Sequence, residues 1–431
     1  MTESKSRIDW SSLRKKEDWW AVWLGFAVMA LVLGRIVTWT PKIGKWSADI
    51  TAAVNIAELP YFVLVGLFLL ALTSAAILGM KEKLKGYCAG FPAVFALAFL
   101  AFLIANQTDI SYLGLESVLW ALVAGLLISN TIGLPQWLKP AVRTELFIKI
   151  GLVLLGAEIL FNVLLAAGSF GLFEVTVGLF TVWYFCYYLA IRFGLRKSFA
   201  CVMASATSIC GVSAAIAAGG AVKGDPKEVS YTISLVLLFA MPMLVLMPMT
   251  ARALGLPDAV AGAWIGGTID TTPAVVAAGS LYSSKAMQVA SILKMSQNVL
   301  IGLTAFLLAL YWTLRVERNP EEKPKPIEIW YRFPKFVVGF ILASLFSSFL
   351  LTPILGVEAT NAILKVTKDI RSWYFAMAFV CIGLDTKLSE LVRIGRGKPF
   401  VVFTAATLLD IVVSLMSAYL FFGGVIFPSP V

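Results

Sequence analysis

The chain has 431 residues, of which 59% are hydrophobic and 14% charged, and a mean hydropathy of +0.87. Soluble domains run at about 45–50% apolar and about 25% charged and cannot hide this much apolar surface from water, so a soluble enzyme, a nucleic-acid binder and a secreted disulfide scaffold are excluded. The net charge of +10 is then a matter of cations in cytoplasmic loops, and the absence of His removes the commonest proton shuttle and metal ligand.

Residues 1–18 are polar and basic, with Lys5, Arg7, Arg14, Lys15 and Lys16. The apolar run from Trp19 to Trp39 that follows has the length of a membrane span, about 20 residues, rather than that of a signal-peptide core. Further apolar stretches fall at 61–80, 89–105, 112–131, 147–167, 171–192, 198–221, 230–253, 258–281, 288–313, 333–351, 370–388 and 399–421. None alternates with the period of a barrel strand, so the spans are helical. Trp19, Trp20, Trp39, Tyr331 and Trp373 near span ends read as interfacial belt residues. Cys88, Cys186, Cys201, Cys210 and Cys381 lie in or beside apolar runs without CxxC spacing and read as reduced, packed thiols.

Two stretches differ from ordinary spans. Residues 198–221 (FACVMASATSICGVSAAIAAGGAV) and 258–281 (DAVAGAWIGGTIDTTPAVVAAGSL) are rich in small residues and have polar centres at Ser208–Gly211 and Gly267–Pro273. Gly211, Gly266, Gly267 and Pro273 break or cap helices there. The first stretch is flanked by Arg192, Arg196 and Lys197 on one side and Lys223 and Lys227 on the other. Two basic flanks place both ends in the cytoplasm, so the element re-enters rather than crosses. Carried along the chain, with inside loops at 81–88, 132–146, 192–198, 222–229, 314–332 (Arg315, Arg318, Lys323, Lys325, Arg332) and 389–398 (Arg393, Arg396, Lys398), this predicts an all-α integral membrane protein. It has about eleven transmembrane helices and two re-entrant helical hairpins, with the N-terminus cytoplasmic and the C-terminus outside.

The hairpins resemble each other: AAIAAG (214–219) matches AVVAAG (274–279), and Val229 matches Val289 in the same register. A second pair is GLVLLGAEIL (151–160) with FVCIGLDTKL (379–388), and superposing Gly156 on Gly383 brings Glu158 and Asp385 into correspondence. The paired segments run in opposite directions in the sided topology, the signature of an inverted-topology repeat in a secondary transporter. The expected organisation is an N-terminal region 1–111 with a basic tail and three extra spans, a first repeat 112–253 and a second repeat 258–431.

Each hairpin should place the N-terminus of its second half-helix at membrane depth, where unpaired N–H groups and the positive helix end favour a small anion. The candidate anion-binding residues are Thr207, Ser208, Cys210, Gly211 and Ser213 at the first tip and Thr271 and Thr272 at the second, with Lys294 and Asn298 beside them. Gln297 shares the helix surface of the last two. Back-bonding of each hydroxyl to a helix carbonyl is the competing role. Ionisable residues inside the membrane are functional candidates: Asp270, which either caps the following half-helix or carries a coupling ion, and Glu158. Asp410, mid-span, is similar, and Asp385 with Lys387 suits an interfacial pair. No Walker, HExxH or GxSxG motif occurs, so no enzyme, cofactor or metal is expected.

SATSICGVSAAIAA (204–217), GTIDTTPAVVAAG (267–279), AMAFVCIGLDTKLSEL (376–391) and GLVLLGAEIL resemble, in order and spacing over roughly residues 112–421, the hallmark stretches of a family of proposed sulfate exporters. These are inverted-repeat secondary carriers grouped with the bile acid symporter type. Ile269 and Pro273 stand where that pattern often has His and Gln. The resemblance implies export of a sulfur oxyanion such as sulfate or sulfite across the inner membrane by alternating access. The expected partners are a small inorganic or sulfonate-type anion, a coupling H+ or Na+, the lipid bilayer and a second copy of the chain in a homodimer, with no nucleic acid. Cation-coupled carboxylate uptake and an anion channel are the alternatives.

Overall fold

The computed structural model describes residues 12–112, 117–317, 330, 333–387, 389 and 397–425. Lys5, Arg7, Arg318, Lys323, Lys325, Arg332, Arg393 and Arg396, part of the topology argument, lie outside the described residues, as do Tyr331 and the end of the 376–391 stretch. Apart from an isolated bridge between Trp46 and Gln107, the regular structure of the described residues is helical. Its longer helices are α1 (Glu17–Leu33), α2 (Leu59–Gly79), α3 (Leu84–Ala105), α4 (Ser117–Thr131), α5 (Thr144–Glu158), α6 (Phe161–Arg192), α7 (Lys197–Ser208), α8 (Val212–Ala221), α9 (Pro226–Ala253), α10 (Asp258–Thr268), α11 (Thr272–Tyr282), α12 (Ser284–Tyr311), α13 (Lys335–Phe346), α14 (Val357–Asp385) and α15 (Lys398–Phe422). Among the described residues seven helical segments are long and apolar enough to cross a membrane, as an integral membrane protein requires. All five cysteines are free, and all but Cys88 are buried.

The chain forms two compact units, each discontinuous in sequence. The first comprises residues 1–160 and 335–386. In it α14 packs on α3, α4 and α5, and α5 packs on α1 and α13. Gly383 of α14 lies against the backbone of α4 at Leu122 and Leu126, and Gly156 of α5 lies against the backbone of α13 at Phe340. Small residues allow such close approach where lipid offers no hydrophobic drive. The two glycines are equivalent in the repeat, and so are the helix ends that follow. Glu158 and Asp385 are the last residues of their helices, and Ile159 and Thr386 turn extended while donating back to the Gly156 and Gly383 carbonyls at 3.3 and 3.2 Å.

Two segment boundaries differ from expectation. The expected loop at 168–170 is helical: the break falls at Ile159–Leu160, and α6 runs unbroken through Gly168 and Gly171. The span expected at 370–388 is the C-terminal half of a helix that begins at Val357. Trp373 is therefore not an interfacial residue. It is buried in the first unit, ringed by Phe62, Phe95, Phe99 and Phe102.

The second unit comprises residues 161–334 and 387–431 and contains both small-residue elements, each a hairpin. Down α12, Gly262 of α10 meets Ala286, Gly266 meets Ala290, and the Ile269 carbonyl meets Lys294. The return strand of the hairpin, α11, starts with Thr272 at Asn298 and comes back to Met287 at Gly279. Its mouth is closed by Ser283, which donates to Asp258 at 2.8 Å, and by Arg252, which donates to the Tyr282 carbonyl. The first hairpin is closed the same way: Arg196, before α7, donates to Glu228 at 2.9 Å and to Asp225 at 3.2 Å, beyond α8. The Lys227 backbone N–H and the Arg196 guanidinium hold the Asp225 carboxyl below its ordinary range. The packing is reciprocal, with α9 on α11 and α12 on α8.

Candidate functional site

The breaks of the two hairpins match residue for residue at the spacing of the AAIAAG and AVVAAG motifs. Ile209 ends α7 and Ile269 ends α10; Gly211 and Thr271 precede α8 and α11; Val212 and Thr272 begin them. The tips meet: a side chain on Gly211 would run into Val236 of α9 and Asp270 of the second tip. Gly211 has φ +62° and ψ −104°, a backbone that L side chains rarely adopt, and this turn lets α8 start beside the opposite tip.

Lys294 of α12, 0% exposed, joins the tips. Its Nζ donates to the Ile209 carbonyl at 3.1 Å, the Ile269 carbonyl at 2.8 Å and Gln297 Oε1 at 2.6 Å, which uses the three donors of an ammonium. Gln297 Nε2 donates in turn to the Gly267 carbonyl at 2.9 Å. The two isoleucine carbonyls are repeat-equivalent and belong to helix C-termini, the negative ends of α7 and α10, where a cation is favoured. Asp270 occupies the opposite pole. It precedes Thr271, the residue flanking the positive N-terminus of α11, and though 5% exposed it makes no hydrogen bond or ion pair among the described residues. Cation and carboxylate are thus sorted onto helix ends of opposite sign rather than paired.

Residues 89–403 match the family described as "Conserved hypothetical protein 698". The chain is 42% identical to a UPF0324 membrane protein of Rhodopirellula baltica over 88% of this chain and 71% of that relative. It is 37% identical to one of Nitratidesulfovibrio vulgaris over 90% and 70% of the two chains. With one of Nitrosomonas europaea it shares 30% identity over 90% and 92%. The chain belongs to this family. No solved structure matches it.

In this UPF0324 member the tip hydroxyls divide. Thr207 donates to the Met203 and Ala204 carbonyls, each at 3.2 Å, and Ser208 donates to Ala204 at 2.7 Å, the back-bonding role. Thr271 and Thr272 are half-buried and Ser213 is exposed; Asn298 Nδ2 donates to Thr272 Oγ1 at 3.3 Å. Cys210, the repeat counterpart of Asp270, is buried. Glu158 lies in the first compact unit, where Arg371 donates from Nε to Oε1 at 2.6 Å and from Nη2 to Oε2 at 3.1 Å while lying over the Phe375 ring.

Gly211→Ala should destabilise the protein by about 2–6 kcal/mol, from backbone strain of about 1–3 and overpacking of about 1–3. Gly220→Ala, with no neighbour within 4 Å on α8, should be neutral or stabilising by up to about 1 kcal/mol. Thermal unfolding of both in detergent checks this; equal melting temperatures would remove the tip constraint.

Proposed function

We propose that this protein is a secondary transporter of a small anion, a sulfur oxyanion such as sulfite or sulfate, exported across the inner membrane with the N-terminus cytoplasmic. The anion binds at the facing N-termini of α8 and α11, and access alternates between the two sides. The observation that carries this reading is the meeting of two repeat-equivalent broken elements at Gly211 and Asp270, each starting a half-helix whose first N–H groups lack helical partners. Ser213, Thr271 and Thr272 stand on those first turns and suit an oxyanion. Cys210 contributes a backbone N–H group, the Gly211 N–H closes the turn by donating to the Ala206 carbonyl at 3.1 Å, and Thr207 and Ser208 fix the end of α7.

Flux of radiolabelled sulfite and sulfate into proteoliposomes tests the reading: saturable flux supports it, and none under any proton or sodium gradient overturns it. Competition stronger with carboxylates than with sulfur oxyanions would move the substrate class, and currents far faster than carrier turnover would make it a channel. Ser213→Ala and Thr272→Ala should each weaken anion binding about tenfold, the effect of one hydrogen bond to a charged ligand. Unchanged affinity in both displaces the site.

A further inference from the structure

The tips do not account for a second group of buried polar residues in the same unit. Glu174, in the middle of the 32-residue α6, is 2% exposed, and neither of its carboxyl oxygens makes a well-formed hydrogen bond among the described residues, the Ser414 hydroxyl being the polar group beside it. It lies against α10 at Gly267, where the Ser414 hydroxyl also sits. Ser414 belongs to a buried polar stripe on α15, Thr407, Asp410, Ser414 and Ser417, spaced to share one helix face. That helix packs on α6, α7 and α10, and the Trp264 indole holds it there by donating to the Ile411 carbonyl at 2.9 Å. Thr407 Oγ1 and Thr268 Oγ1 are buried and unpartnered among the described residues as well. Asp410 lies within electrostatic range of Glu174 on α6, Asp270 of the second tip and Lys294 on α12, and Cys210 of the first tip lies within range of Lys294 and Asp270.

Three carboxyl groups therefore share a buried region with one ammonium whose donors are spent on carbonyls and Gln297. Ionised carboxylates without partners are costly in such surroundings, and intramembrane acids that face a bundle interior mark ion pathways. Among the described residues no group of acidic or cysteine side chains converges tightly enough to hold a metal ion. A proton needs only one carboxyl oxygen.

We propose that Glu174, Asp410 and Asp270 form a proton-binding cluster whose loading is coupled to anion binding at the tips. This rests on the transport reading above and names its coupling ion. The link is electrostatic. An ionised Asp270 and an anion compete for the same positive end of α11. A proton taken from water onto the cluster removes one negative charge, admits the anion, and is released to water on the other side with it. Proton and anion move in the same direction, and no bond other than the carboxyl O–H is made or broken.

The test uses the full chain in proteoliposomes containing a trapped pH dye, with sulfite as the driven anion. Sulfite movement in the native protein should be accompanied by proton movement in the same direction. Glu174→Gln and Asp410→Asn should retain exchange of sulfite for labelled sulfite while net proton movement falls about tenfold or more, within the usual range of coupling between sites. Sulfite flux without proton movement in the native protein, or proton movement undiminished in both variants, overturns the proposal. Infrared difference spectra of the purified protein between mildly acidic and mildly alkaline pH read the cluster without transport. A carboxyl C=O band that changes with pH and is reduced in Glu174→Gln supports it, and no such band overturns it. Absence of sulfite flux in a native protein that shows the band counts against the transported anion, not against the proton site.

Discussion

Lys294→Met is expected to abolish transport and to destabilise the protein by about 3–5 kcal/mol, the range for breaking a buried charged interaction while its partners stay behind. The side chain stays similar in length, so packing is nearly conserved and the loss isolates the ammonium. Without it the Ile209 and Ile269 carbonyls, at 3.1 and 2.8 Å from Nζ, are left as buried helix C-termini with no cation, each costing about 1–3 kcal/mol. Asp270 and Asp410 also lose the one positive charge among the described residues that lies within their electrostatic range. Lys294→Arg should rescue only in part, because a planar fork cannot divide itself among two carbonyls and an amide as a tetrahedral ammonium does. The measurements are chemical or thermal unfolding in detergent and initial flux rate. A Lys294→Met protein with native stability and native flux would show that the tips hold together without it.

The hairpins and their register were legible in the sequence because they are written in local signals: helix breakers at the centres, small residues on both arms, and cations on both flanks of the first. Residue equivalence between the tips, from Ile209 with Ile269 to Val212 with Thr272, follows from the same motif alignment. Glu174 and Arg371 were not legible as buried groups, for a single reason. An apolar stretch starting at residue 171 puts Glu174 at a span end, and one starting at 370 does the same to Arg371; charges at interfaces are ordinary. Tertiary contacts carry α6 from Phe161 and α14 from Val357, which makes both residues mid-helix. Hydropathy marks where lipid can lie, whereas helix length is set by hydrogen bonding and packing, and the two disagree where a helix continues past an apolar stretch. The sign that Glu174 offered was its isolation among Phe, Leu and Val in the run FGLFEVTVGLF, and only its depth gives that sign meaning.

Glu158 and Arg371 supply the contrasting case of a buried charge already neutralised. Arg371→Met should cost about 3–5 kcal/mol, because it strands the Glu158 carboxylate, and Glu158→Gln should cost a comparable amount by stranding the guanidinium. The double variant should recover most of the loss, since exchange of a whole buried pair for groups of similar volume is often near neutral. A coupling energy of about 2 kcal/mol or more in the double-mutant cycle is the expected result, and strict additivity would mean that the bidentate contact contributes nothing to folding. The transport phenotype should differ in kind from that of the acid cluster. Glu158 has both oxygens engaged by one fixed partner, so Glu158→Gln should lower the amount of folded protein while leaving the ratio of protons to anions moved by each folded molecule unchanged. Glu174, with no fixed charged partner on either oxygen, should show the reverse. A changed ratio in Glu158→Gln would place the coupling charge in the first compact unit instead, and would do so whatever the stability of that variant.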